Sequence, residues 1–160
     1  MILVKFEPEI KGTSTVKGYE DWIVFESYAI NSARHIQVHG NDRDVSNAHV
    51  SELMLTKGAD KTSPEFFIQA KIGTAFTKAT IVSLHAAGSN KTLQKMVSLE
   101  LGDPIVSSYS TQGSSGNRPS EHITLNFSEI KYEYHYFDGG VKKGFVEKSY
   151  DLISNSAPAA

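Results

Sequence analysis

The sequence predicts a mainly β fold: a single-domain β-barrel of two packed antiparallel sheets with one flanking α-helix. Three observations carry this expectation. Several short segments alternate apolar and polar residues with period two, the mark of strands with one face on a core. Glycine, proline, asparagine and aspartate punctuate the chain between them. Only one stretch, Ser63 to Gly73, carries strong helix start and stop signals. The length of 160 residues fits one domain, placed at residues 1–153, with residues 154–160 as a small, polar, flexible tail.

The alternation can be followed along the chain. Val82, Leu84 and Ala86 form one set, ending near Ala87, Gly88, Ser89 and Asn90, and Val97, Leu99 and Leu101 form a second, closed by Gly102, Asp103 and Pro104. The two read as a hairpin. Ile123, Leu125 and Phe127 alternate with His122, Thr124 and Asn126; then Ile130, Tyr132, Tyr134 and Tyr136 alternate with Lys131, Glu133 and His135. The apolar set changes parity near Ser128 and Glu129, which a β-bulge would repair. Trp22 to Ile30 is apolar on both parities and reads as a central or interface strand covered on both faces. A last strand is expected within Phe145 to Ile153, after a loop at Asp138, Gly139 and Gly140.

Ser63 is the expected helix N-cap, Pro64 the first helical residue and Gly73 the left-handed cap, with Phe66, Phe67 and Ala70 as the apolar stripe. Asn31 to Asn47 and Gln112 to Ser120 fit no strand pattern and read as long polar loops available to partners. Roughly seven or eight strands with one helix suit a closed or nearly closed barrel, because closure removes exposed sheet edges.

Composition excludes several classes. Apolar residues are 39% and charged residues 21%, which is neither disorder nor a membrane protein. Sixteen Lys and Arg stand against eighteen Asp and Glu, scattered, so the basic footprint of a nucleic-acid binder is missing. With no cysteine, disulfides, thiolate nucleophiles and Cys-ligated metals are ruled out together. The apolar run Ile2-Leu3-Val4 is too short for a signal-peptide core, and no stretch approaches the roughly 20 residues that span a bilayer.

Candidate chemistry is sparse. His35 and His39 stand four apart with His49 further on, a spacing that suits a metal on a helix; the surrounding pattern is not helical, and surface or interface histidines are the favoured reading. His122 and His135 fall on polar faces and are expected to meet solvent or a lumen. None of Ser107, Ser108, Ser110, Ser114 and Ser115 sits in a G-x-S-x-G elbow, and Gly113 to Arg118 lacks the lysine of a phosphate loop. No catalytic residue, cofactor site or metal site is expected.

The run from Ile105 through Val-Ser-Ser-Tyr-Ser, the Gly113–Gly116 loop and Thr-Leu-Asn-Phe127 resembles the signature region of the haemolysin-coregulated-protein (Hcp) family. Leu55-Thr-Lys-Gly-Ala-Asp-Lys-Thr-Ser-Pro64 resembles that family's strand, T-K turn and helix start, in the same order. The resemblance implies a non-enzymatic subunit of a homohexameric ring, with rings stacked into the inner tube of a type VI secretion system. The implied partners are further copies of the chain, a spike protein at the tube tip, a contractile sheath and small effector proteins carried in the lumen; membrane insertion and nucleic acid are not among them. The implied location is the cytoplasm before firing and the extracellular space or a target cell afterwards, without a signal peptide. No toxin domain is expected after the last strand, so any delivered activity would belong to a separate protein.

Candidate oligomer-interface residues are Trp22, Phe25, Phe66 and Phe67 by apolar content. Arg34, His35, His39, Asp42, Arg43 and Asp44 are added because the family packs subunits or rings through an extended loop here. That loop departs from the glycine-rich pattern common in the family, having only Gly40. Arg118 and Glu121 complete the set, as residues that would position the second loop at a subunit contact.

Overall fold

The computed structural model describes residues 1–89 and 91–158, apart from the side chains of Ser46 and Asn47. Among them the strands are β1 (Ile2–Glu7), β2 (Ile23–Phe25), β3 (Ser27–Ala29), β4 (Ser32–His39), β5 (Asp42–Val50), β6 (Leu53–Gly58), β7 (Lys78–Ala87), β8 (Thr92–Gly102), β9 (Ile105–Gln112), β10 (Ser120–Asn126), β11 (Glu129–Asp138) and β12 (Val141–Asp151), with helix α1 (Ser63–Ile72) between β6 and β7. A six-stranded sheet runs β12-β11-β8-β7-β1-β2 and a four-stranded sheet runs β3-β6-β10-β9, while β4 and β5 form a separate pair. The chain is mainly β with one helix, as the alternation requires. The two large sheets pack on one another without a ladder joining them into a closed barrel.

Alternation decides what is buried. Val4, Phe6, Ile81, Leu99 and Leu101 from the larger sheet meet Leu53, Leu55, Ile123 and Leu125 from the smaller one, with Phe66 of α1 closing the core. Each such side chain contributes about 1.5–3 kcal/mol when withdrawn from water. Leu3, Val82 and Leu84 lie on the opposite face of the larger sheet under Val16, Tyr19 and Trp22. That cover runs close to the backbone: a Cβ on Gly12 would stand 2.2 Å from the Trp22 carbonyl oxygen.

The hairpin expected from Val82 and Leu99 is β7–β8; of its turn, Asn90 lies outside the described residues. Gly73 caps α1 at φ 68°, as expected, but the N-cap is Thr62 and not Ser63. Ser63 Oγ instead accepts from the Asp60 amide at 2.9 Å.

The strands among the described residues number twelve, not seven or eight, and four further expectations are corrected. Trp22 to Ile30 is not one central strand: the chain turns at Glu26, so β2 and β3 are edge strands of different sheets. Its double apolarity arises because the segment meets the core from two directions. Likewise no bulge sits at Ser128 and Glu129; there the chain leaves the four-stranded sheet and enters the six-stranded one. A change of sheet switches parity as a bulge would. Asn31 to Asn47 is not a loop but falls largely within the β4–β5 hairpin. His135, expected on an accessible polar face, is buried at 3% exposure.

The four-stranded sheet and the helix are joined by a buried ion cluster. Leu53, Leu55 and Lys57 share one parity of β6, so Lys57 points inward and is fully buried. Its Nζ lies 2.9 Å from Asp60 Oδ1 and 2.8 Å from Glu121 Oε2, and 5.8 Å from the Phe66 ring centre. Tyr109 donates to Glu121 Oε1 at 2.7 Å, and Asp60 Oδ1 accepts from the Thr62 amide at 2.8 Å. Burial alone would raise both carboxyls, but Lys57 with Thr62 holds Asp60 below its ordinary value, and Lys57 with Ser63 and Tyr109 does the same for Glu121. Burial and then the Glu121 carboxylate push the Tyr109 phenol up to about 12, so it remains a donor at neutral pH.

Lys57→Met, which strands two buried carboxylates, is expected to lower unfolding stability by ~3–5 kcal/mol in urea titrations. Because the folded carboxyls are depressed, their contribution is present above the unfolded value of about 4 and is lost as pH falls through the folded values. The wild-type urea midpoint should therefore drop on acidification below about pH 4, whereas Lys57→Met should lose less or gain over the same range.

Candidate functional site

Three surfaces remain once the core is assigned. The outward face of the four-stranded sheet takes the opposite parity to Leu53, Ile123 and Leu125, and it is dominated by small hydroxyl side chains. Thr56 and Ser110 flank His122 in register, and Ser108 and the exposed Met54 flank Thr124. Thr56 Oγ1 lies 3.2 Å from His122 Nδ1, and Thr124 Oγ1 lies 2.8 Å from Ser107 Oγ. Charged side chains meet this face near Gly58 and Ser107. Arg118 lies over Gly58 and donates to the Ala59 carbonyl at 2.5 Å, while Glu52 accepts from Ser107 at 2.8 Å.

The β4–β5 hairpin is the second surface, with every residue of β4 exposed. The pairings Ile36 with Val45 and Val38 with Arg43 put apolar groups on one face; these three apolar residues are 52%, 47% and 65% exposed, in the order Ile36, Val45, Val38. His39 pairs with Asp42 and Gln37 with Asp44 on the other face, where Gln37 lies within 3.4 Å of both His35 and His39. The hairpin is amphipathic, yet its apolar face lies largely open.

The third surface is the β11–β12 hairpin. Tyr132, Tyr134 and Tyr136 share one face, each nearly half exposed. Near the base of β4–β5 an apolar cavity of about 380 Å³ is lined by Ile30, Val50, Ile130, Tyr132 and Tyr150 among others. On the opposite face of β11, Glu133 contacts His135 and pairs with Lys95 at 3.0 Å. Burial raises the Glu133 carboxyl, but His135 and Lys95 together hold it below its ordinary value. His135 also stacks on Phe145 at 5.3 Å.

The proposed interface residues divide between these surfaces and the interior. Arg34, His35, His39, Asp42, Arg43 and Asp44 all lie exposed on the β4–β5 hairpin. Phe67 is 48% exposed and meets Tyr109 edge-on at 6.1 Å. Trp22 is half-buried against Tyr19. Phe25, Phe66 and Glu121 are 3%, 0% and 1% exposed, so their side chains are committed to this chain's own core and ion cluster. The loop-positioning role assigned to Arg118 and Glu121 thus separates: Arg118 braces the Gly58–Ala59 turn from outside, and Glu121 neutralises Lys57 within. Sequence reasoning missed Ile36, Val38 and Val45, whose signal is a weak alternation inside a polar segment. It also missed Lys57, whose signal is a lysine in phase with Leu53 and Leu55.

No group of three or more His, Cys, Asp or Glu that could hold a metal occurs among the described residues. No helix among them is long and apolar enough to cross a membrane.

The architecture matches known proteins. The profile of the family described as "Type VI secretion system effector, Hcp" matches residues 4–134. Protein hcp1 of Pseudomonas aeruginosa is 30% identical over 110 residues, spanning 67% of each chain. A solved type six secretion system protein superposes with a TM-score of 0.89 at 24% identity, covering 98% of both chains. Hcp1 from Salmonella typhimurium gives 0.78 at 24% identity, covering 98% of this chain and 97% of its own. With a family match across most of its length and the same two-sheet, one-helix fold, the chain belongs to the Hcp family of type VI secretion system proteins.

Proposed function

We propose that this chain is the repeating structural subunit of a homohexameric ring, that rings stack into the inner tube of a type VI secretion system, and that the chain has no catalytic role. The observation that carries the reading is the β4–β5 hairpin: an exposed two-stranded arm whose apolar face has little cover within its own chain. An isolated two-stranded hairpin is marginal in water, so an arm of this kind calls for a neighbour to pack against. A ring supplies that neighbour through a heterologous contact that closes on rotation.

The outward face of the four-stranded sheet is assigned to the channel. A conduit for other proteins must not hold them by apolar or ionic adhesion along its length, and a face made mostly of small hydroxyl side chains suits this. In this reading small effectors travel in the lumen, a spike protein caps the tube, and a contractile sheath surrounds it. The protein is held in the cytoplasm and leaves the cell when the sheath contracts, without a signal peptide. The ring domain is assigned to residues 1–153; of the expected tail, residues 159–160 lie outside the described residues.

Sedimentation of the purified protein, with negative-stain images of the same sample, is expected to give rings of about six copies with a stain-filled centre; a monomer at high concentration would count against the assignment. Ile36→Asp with Val38→Asp should weaken assembly at least about tenfold, because each buried aliphatic side chain is worth about 1.5–3 kcal/mol, while leaving the monomer's urea midpoint nearly unchanged. An equal loss in the midpoint would place both residues in the fold and not in the contact.

A further inference from the structure

The outward face of the four-stranded sheet carries one titratable group away from its ends. His122 stands between Thr56 of β6 and Ser110 of β9 in the ladder, and neither neighbour ionises. Arg118 lies over Gly58 and Glu52 beside Ser107, and the exposed Glu26, whose amide donates to the Thr56 carbonyl at 2.8 Å, stands at the β3 edge. Protonation of His122 adds one positive charge per chain to the middle of this face.

Local geometry tolerates both states. The Thr56 hydroxyl, 3.2 Å from His122 Nδ1, can donate to a neutral ring nitrogen or accept from a protonated one by rotating its hydrogen. Neither state leaves a buried polar group unpaired, since the imidazole is exposed. With Nδ1 used by Thr56, Nε2 is the atom that an approaching carboxylate would meet. The surrounding hydroxyls supply further donors to a carboxylate.

We propose that His122, when its imidazole is protonated, makes this face a binding surface for acidic polypeptide. The proposal rests on the channel reading above: in a ring the imidazoles of all copies lie at one height, so their charges act together on a single occupant. Single exposed ion pairs are weak, and a multivalent acidic chain gains from several at once. The occupant is therefore an acidic segment in preference to a basic or apolar one.

The test uses intact rings and a fluorescein-labelled poly-aspartate peptide, whose carboxylates stay ionised throughout. Binding is measured by anisotropy at about pH 5.5 and about pH 7.5, with sedimentation of the same samples. Wild-type rings are expected to bind about tenfold more tightly in acid. His122→Gln rings should bind weakly at both pH values, and His122→Lys rings tightly at both. Acid-tightened binding that survives in His122→Gln rings, or intact wild-type rings without any tightening, would overturn this proposal alone. Monomers at both pH values would overturn the channel reading together with it.

Discussion

A lysine ammonium withdrawn from water between two carboxylates organises the smaller sheet. Lys57 belongs to β6, Glu121 to β10, Tyr109 to β9, and Asp60 with Thr62 and Ser63 to the start of α1. One cation thus gathers groups from three strands and the helix. Its desolvation is tolerable only because both carboxylates and the Ser63 hydroxyl complete its coordination. The arrangement does more than resist unfolding. It sets the register in which β6, β10 and β9 present their other parity to solvent, and so fixes the height of His122 between Thr56 and Ser110.

From that register follows a division of labour between the two faces of each strand. The inward parity is spent on Leu53, Leu55, Ile123 and Leu125, leaving the outward parity free of packing demands. Small hydroxyl side chains there keep a sheet surface wet without giving it charge, and they satisfy one another across the strands, as Thr124 does with Ser107. The six-stranded sheet differs. Near β1 it is covered on both sides, by the main core and by the Trp22 segment, while at β11 and β12 it reaches past the core and exposes Tyr132, Tyr134 and Tyr136. Those tyrosines and the apolar face of β4–β5 are the surfaces an assembling partner would find uncovered.

Much of the fold was legible because period two is a local signal. The β7–β8 hairpin, the β11–β12 turn and the helix stop at Gly73 each rest on residues a few positions apart. The expectations that failed lie where the chain changes partner. At Glu26 and at Phe127 to Glu129 the backbone passes from one sheet to the other, and parity switches without an extra residue in any ladder. Along Asn31 to Asn47 polarity suggested a loop, because a hairpin that projects from the body buries too little to show a strong apolar alternation. His135 fell on a polar parity that Phe145 and the Glu133 pair nonetheless enclose.

By itself the sequence determined the fold class, the helix and its stop, the positions of β7, β8, β10, β11 and β12 and, through two motif blocks, the family resemblance, since all of these are written in neighbouring residues. Only the tertiary structure decided which surfaces are open. Phe25, Phe66 and Glu121 look like surface candidates along the chain but are interior, whereas Ile36, Val38 and Val45 look unremarkable but are exposed together. The reason is physical: burial depends on which distant strands are brought alongside a residue, as Lys57 shows by meeting Glu121, sixty-four positions away in sequence, at 2.8 Å.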